Sequence, residues 1–256
     1  MTAWLRHPVR VSGRLLWLAA EMAFAAFDYG VSCAFHPPTN LDAARAQWLQ
    51  RAARRTLRIF RVAINHTGEI PSKGLLVCNH LGYLDVLVLA ALTPCVFVAK
   101  SEVKGWPLFG WFAKRAGTLF VRRDRRFNAG QTVAEIEKLL RDDRLVVLFP
   151  EGTSSGGQSV LPFKSSLLEA VAQTQHPVTA AFLKYDLADG NVSEEICYWG
   201  DMTLVPHLIN LSSKRSIGAD LYFQRVAPAT ESRKELARQL HSDISRLQSA
   251  SLLRAA

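Results

Sequence analysis

Nowhere does this sequence run about 18 residues without a charged side chain, the length that a bilayer-crossing helix ordinarily needs. Its most apolar N-terminal stretch, Leu15 to Phe27, follows a basic start (Arg6, Arg10, Arg14), is interrupted by Glu21 and is followed by Asp28. The expectation is a buried helix or one lying in a membrane interface, with no cleavable signal peptide. Cysteine is scarce: four residues, Cys33, Cys78, Cys95 and Cys197, with no short-spaced pair. That excludes a cysteine zinc site or a redox pair and suits a reducing, cytosol-facing compartment. The seven histidines show no metal-ligand spacing, so no metal is expected. Internal repeats and low-complexity tracts are missing. Zinc-finger, aromatic RNA-binding and helix-turn-helix signatures are missing as well, so nucleic acid is not expected as a partner.

Acid is also in short supply: 22 Asp and Glu stand against 31 Lys and Arg, a net charge of +9. Such an excess calls for an acidic partner. The cations are mostly arginine, which recognises phosphate and carboxylate in plane. With 256 residues, 49% of them apolar, the chain can build one large core with an appendage. Asp42 to Ile64 predicts a basic amphipathic helix in which Trp48, Leu49, Ala52, Ala53, Leu57 and Phe60 share one face. Arg51, Arg54, Arg58 and Arg61 form a stripe along it. Such a stripe is either a solvated face over a packed helix or a row of arginines at lipid headgroups, with Trp48 at the boundary. The preceding helix, equally apolar and arginine-flanked, favours a two-helix membrane-contacting element over residues 1–64, ahead of a second domain over 65–256. His36 to Asn40 separates the two helices, with Asn40 as a cap.

From residue 74 short β-rich runs alternate with helical ones. Gly74–Cys78, Cys95–Ala99, Thr118–Arg122, Arg144–Pro150, Pro177–Leu183 and Gly218–Val226 read as strands. Asp85–Leu92, Trp106–Ala116, Ala129–Asp143, Ser166–Gln173 and Glu231–Ser249 read as helices. This predicts a layered α/β domain with a largely parallel central sheet flanked by helices.

In such sheets functional loops gather at the carboxyl ends of strands. Here those ends carry Asn79-His80, Lys100, Arg122-Arg123 and Glu151-Gly152-Thr153. Five positions separate His80 from Asp85, which is out of register on a continuous helix. The pair meets only if His80 lies on the turn and Asp85 in the first helical turn, where a carboxylate is favoured; otherwise Asp85 is a plain helix cap. Arg122 to Arg126 is a solvated cluster or, at a strand end beside a histidine, a phosphate clamp. Gly152 to Gly156 satisfies the G-x-S-x-G spacing of serine hydrolases with Ser154 as nucleophile, but that motif needs a helix after the turn, and Gly157–Lys164 reads as loop. Gly152 and Thr153 more naturally offer N–H groups and a hydroxyl to an anion, with Glu151 bonding substrate hydroxyls.

These residues resemble the glycerolipid acyltransferases, specifically the 1-acylglycerol-3-phosphate type. The block Asn79–Asp85 (NHLGYLD) is similar to the family's His, four residues, Asp; Gly117–Arg123 (GTLFVRR) and Phe149–Ser155 (FPEGTSS) are similar to its second and third blocks. Ala99–Gly110 resembles the segment whose lysine, here Lys100, is implicated in phosphate binding, and Leu161–Ser166 extends the match. The fourth motif departs: Pro177 is kept, and Ala180 stands where a second proline is expected. The resemblance implies His80 as general base, oriented by Asp85, with Asn79, Lys100, Arg122, Arg123, Glu151, Gly152 and Thr153 binding substrate. Backbone N–H groups near His80 or in the Glu151–Thr153 turn would stabilise the oxyanion. It implies no cofactor: acyl-CoA or acyl carrier protein donates the acyl group, and a lysolipid, first of all 1-acylglycerol-3-phosphate, accepts it. It also implies a monotopic or peripheral place on an anionic bilayer, at the cytoplasmic face of the cell membrane. The tail Cys197–Leu208 resembles a branch that includes lyso-ornithine lipid acyltransferases, with Trp199 and Asp201 either acceptor-selective or part of a packed corner. More distant alternatives are the Ser154 hydrolase and a non-enzymatic anionic-lipid-binding module.

Overall fold

In a computed structural model of the chain, residues 7–35, 41–106, 108–121, 126–172, 176–227 and 232–253 are described. Two long helices, α1 (Pro8–Phe35) and α2 (Leu41–Phe60), lead into β1 (Val62–Thr67). Then follow β2 (Gly74–Cys78), α3 (Tyr83–Leu92), β3 (Val96–Lys100), a 3-10 turn (Ser101–Gly105), α4 (Phe109–Arg115), β4 (Leu119–Val121), α5 (Arg126–Arg141) and β5 (Leu145–Leu148). The chain closes with a 3-10 turn at Ser166–Leu168, α6 (Glu169–Ala172), β6 (Val178–Asp186), α7 (Val192–Glu195), α8 (Leu204–Ser213), β7 (Ile217–Val226) and α9 (Arg233–Leu253).

The seven strands form one sheet in the order β1-β7-β6-β2-β5-β3-β4. All neighbours run parallel except β6 and β7. Strands β2 and β5 are buried along their whole lengths, which is why they read as unbroken apolar runs. One core layer lies between the sheet and α2 and α3, around Leu76, Leu84, Val88 and Leu57. The other lies beneath α5, α6 and α9, around Val77, Ile136, Leu168 and Leu240.

Three sequence expectations change here. The helix expected to reach Ile64 stops at Phe60: Arg61 takes a φ of 54°, and residues 62–67 become an edge strand pairing β7. The alternation of exposed Ala63 and Asn65 with Val62 and Ile64 suits a half-covered strand once β7, some 150 positions on, supplies its ladder. Trp48 is not at a membrane boundary; it is fully buried, donates its indole N–H to Ala25 O at 2.8 Å and stacks on Phe112. The arginine stripe is partly engaged inside the protein: Arg54 donates to Ala91 O at the carboxyl end of α3, and Arg51 pairs with Asp28. Asn40 and the break at 36–39 lie outside the described residues.

By length and composition Pro8–Ser32 is long and apolar enough to cross a membrane, which a count of uncharged residues does not reveal. Its charges, however, all turn inward. Arg10 and Arg14 donate to the carbonyls of Ser212, Ser213, Lys214 and Arg215 at the end of α8. Glu21 takes the guanidinium of Arg55 at 2.7 Å, and Asp28 takes those of Arg51 and Arg55. Outward α1 shows Val9, Leu16, Trp17, Phe24, Phe27 and Val31. Successive steps of about 100° put these on one stripe.

Candidate active site

Strand β2 ends at Cys78, and β6 runs on beside the gap. Asn79 fills it. Its Oδ1 accepts the Leu183 N–H at 2.7 Å and its Nδ2 donates to the Leu183 carbonyl at 2.9 Å. The side chain thus replaces one rung of the ladder, so the main chain can leave the sheet without orphaning β6. Asn79 is buried with both ends of its amide used, which corrects its expected role in substrate binding: it is a hinge pin.

The turn that follows is pinned at nearly every backbone group. His80 N–H donates to Glu151 Oε1 and His80 O accepts from Ser155 N. Leu81 O accepts from Tyr198 N at 2.7 Å. Leu81 and Gly82 both donate to Asp85 Oδ2, at 2.6 and 2.9 Å. A Cβ at Gly82 would fall 2.9 Å from the Tyr198 nitrogen, so only glycine lets the two loops close.

Held this way, the ring of His80 meets Asp85, with Nδ1 to Oδ2 at 2.8 Å. The ring lies flat on Phe149 at 4.2 Å and Phe149 lies over Phe97. Asp85 is wholly buried while the His80 side chain stays 22% exposed. A carboxylate on Nδ1 keeps the proton there and leaves the lone pair on Nε2, which no described residue occupies. The five-position spacing works as anticipated, with His80 on the turn and Asp85 in the first turn of α3.

A third member was not foreseen. Tyr185, deep in β6, donates its hydroxyl to Asp85 Oδ1 at 2.7 Å. Burial, then the neighbouring Asp85, push the Tyr185 phenol well above its ordinary range, so it remains a donor. Tyr185→Phe should therefore lower turnover about ten- to a hundredfold, in proportion to one hydrogen bond to a charged group. It should also move the acid limb of the kcat/KM profile to higher pH, because the freed carboxylate holds the imidazolium more tightly. A fall in turnover with an unmoved profile would reduce Tyr185 to packing. The only cue in the sequence is a tyrosine at an inward position of a buried strand.

The third block sits at the end of β5, next to β2 in the sheet. Glu151, expected to bond substrate hydroxyls, is 3% exposed and faces the His80 peptide instead. Burial raises its pKa to about 8, against the N–H groups of His80 and Leu161. Its Oε2 is buried without a hydrogen-bond partner. Gly152 N–H closes its own turn onto Phe149 O, and Thr153 is exposed. The N–H groups of His80, Leu81, Gly82 and Gly152 thus all have internal acceptors, so the oxyanion donors expected near His80 are already engaged. Ser154 donates to the Tyr198 carbonyl, and irregular chain, not a helix, follows it; it is not a nucleophile elbow. Lys100 ends β3 in register with Val121, the last described residue of β4. Arg122 and Arg123 lie outside the described residues.

Around the pair runs a supporting layer. Tyr83 bonds His207 Nδ1 at 2.8 Å, and His207 Nε2 bonds Cys197 O at 3.1 Å. Burial lowers the pKa of His207, so it stands neutral, donating to Cys197 and accepting from Tyr83. Trp199 donates to Ser193 O while remaining half-exposed. Burial pushes the thiols of Cys78, Cys95 and Cys197 up, the last to about 12, which makes them poor nucleophiles. Among the described residues no cluster of His, Cys, Asp or Glu suits a metal.

A carboxylate-oriented imidazole with a free nitrogen, at the carboxyl end of a parallel strand, is the equipment of a general-base enzyme. The comparisons with known proteins narrow the class. A family model described as Acyltransferase matches residues 61–184. The chain belongs to the glycerolipid acyltransferase family and is an acyltransferase of that family. It is 33% identical over 226 residues to a protein of Rhizobium meliloti named lyso-ornithine lipid O-acyltransferase, covering 81% of this chain and 77% of the relative. It is 31% identical over 169 residues to a 1-acyl-sn-glycerol-3-phosphate acyltransferase of Neisseria gonorrhoeae, covering 66% of each. The crystal structure of the 1-acyl-sn-glycerophosphate (LPA) acyltransferase PlsC from Thermotoga maritima superposes with a TM-score of 0.73 at 17% identity, over 99% of this chain and 98% of that one. At that identity the likeness speaks for the fold.

Proposed function

We propose that the protein transfers a fatty acyl group from a thioester, acyl-CoA or acyl carrier protein, to the free hydroxyl of lyso-ornithine lipid. The observation that carries the acceptor is the reach of the Rhizobium meliloti match: 81% of this chain, extending beyond the core at 61–184. Lysophosphatidic acid, the acceptor first suggested by the motifs, is the second reading, favoured by the Neisseria relative. Both acceptors carry an anionic group that Lys100, Arg122 and Arg123 would hold.

In the reaction His80 Nε2 takes the proton of the acceptor hydroxyl as its oxygen attacks the thioester carbonyl. Asp85, ionised and immobile, offsets the charge that appears on the ring. The tetrahedral intermediate expels the thiolate, and the imidazolium returns the proton to it. No acyl-enzyme is required, because the thioester is already activated and the acceptor is held in place.

The outward stripe of α1 lies on the bilayer with the helix in the interface. A crossing helix would carry Arg14, Glu21 and Asp28 into hydrocarbon, at about 2.5–3.5 kcal/mol each on insertion scales. Buried free thiols suit a cytosol-facing site.

The acceptor test uses purified protein, labelled acyl-CoA or acyl carrier protein, and equal amounts of lyso-ornithine lipid and lysophosphatidic acid. The expected result is at least about tenfold higher kcat/KM for lyso-ornithine lipid, one hydrogen-bonded headgroup contact's worth of discrimination. The reverse preference would establish the second reading.

A further inference from the structure

We propose that Trp106, Leu108 and Trp111 form a second bilayer-inserting wedge, fixed to α1 and set beside the turn of the His80 site. The proposal rests on the acyltransferase reading above and adds to it the path by which a membrane-held acceptor meets the catalytic ring.

All three side chains are exposed, Leu108 by 51% and each tryptophan by 37%. Leu108 is also held at φ 66°, ψ −58°, a conformation that costs a non-glycine residue about 1–3 kcal/mol. Folding has no use for an apolar side chain that is both exposed and strained. A surface function does. The base of the wedge is rigid: a Cβ at Gly110 would fall 2.4 Å from the Lys104 carbonyl, so α4 and the 3-10 turn are in direct backbone contact.

Its position matters more than its composition. On one side Trp111 meets Tyr29 of α1 edge-on at 6.3 Å, and Arg115 lies over both rings at 5.2 and 5.4 Å. Tyr29 faces inward onto the buried Trp48 at 5.1 Å, so this contact fixes the wedge to the packed side of α1. On the other side Trp106 meets Tyr198 at 6.4 Å, and Tyr198 meets Tyr83 at 5.5 Å. Tyr83 belongs to the turn that carries His80 and Asp85. Ring contacts therefore tie the wedge to α1 on one side and to the turn of His80 on the other.

The occupant is an anionic bilayer. Among the described residues of this segment, Lys104, Lys114 and Arg115 are exposed, against one acidic residue, Glu102. Tryptophan beside lysine and arginine is the composition of an interfacial anchor, with rings at headgroup depth and cations on phosphates.

The test is Leu108→Asn in the full chain. The side chain is exposed, so this variant should melt close to wild type; Leu108→Gly repeats the test with the strain removed altogether. Co-sedimentation is measured with vesicles of equimolar phosphatidylcholine and phosphatidylglycerol. Vesicle binding should fall about tenfold, as expected for one leucine withdrawn from lipid, and turnover of acceptor embedded in those vesicles should fall with it. Turnover of a short-chain monomeric lysolipid with acyl-CoA should not change. Unchanged vesicle binding in both variants would overturn the proposal. So would a loss confined to acyl carrier protein as donor, which would make this surface a protein dock. Because vesicle binding is read without catalysis, it tests the wedge even if neither acceptor in the panel is turned over.

Discussion

Replacing His80 by alanine is expected to lower turnover by about two to four decades, the range that a positioned general base contributes, while the protein stays folded. The structure separates these two effects. The ring is partly exposed, and Asp85 keeps its other donors, Leu81 N–H, Gly82 N–H and the Tyr185 hydroxyl, when the imidazole is removed. The turn therefore persists, and the melting temperature should move by no more than a packing contact with Phe149 is worth. The residual reaction should also lose its acid limb, since no imidazole remains to be protonated. Full turnover in His80→Ala would end the mechanism. If Ser154→Ala were the inactive variant instead, the hydrolase alternative would return.

Asp85 gives the second large effect, and here two substitutions should diverge. Asp85→Asn keeps the shape and an oxygen for the N–H groups of Leu81 and Gly82, but removes the charge that balances the imidazolium. Turnover should fall roughly a thousandfold or more, as when an orienting carboxylate is lost from a catalytic triad, with a modest change in melting. Asp85→Ala should be equally inactive and also less stable by about 3–5 kcal/mol, because buried donors are left without an acceptor. A thermal melt beside a rate measurement distinguishes the two. An Asp85→Asn protein with wild-type turnover would reduce the carboxylate to a helix cap, the plain reading its position in the sequence also allows.

Much of the fold was legible from short-range pattern. Gly74–Cys78 and Leu145–Leu148 are apolar throughout because both sheet faces are covered, and they lie where the runs suggested. The His80–Asp85 pairing was also legible, because both partners sit within one turn. What escaped was whatever required a distant partner. Tyr185 reaches Asp85 from 100 positions away. Asn79 reads as part of a polar knot, yet it serves as a rung against Leu183. Glu151 reads as a strand-end acid that bonds substrate hydroxyls, yet it is buried with one oxygen on the His80 peptide. Residues 62–64 read as the end of a helix until β7 offered a ladder.

The helices at the N-terminus show the same division. Periodicity set apart an apolar and a charged face on the second of them, and on neither did it say which groups would turn inward. On α2 the tryptophan went to the core; on α1 the arginines, Glu21 and Asp28 turned inward and the aromatics outward.

The sequence by itself determined the alternation of strands and helices, the order of the motif blocks and the pairing of His80 with Asp85, because each depends on contacts within a few residues. The tertiary structure alone decided which polar groups are satisfied from within and which remain to meet a substrate. Hydrogen bonds and burial are set by whatever the folded chain brings alongside, and those partners lie from about twenty to more than a hundred residues apart.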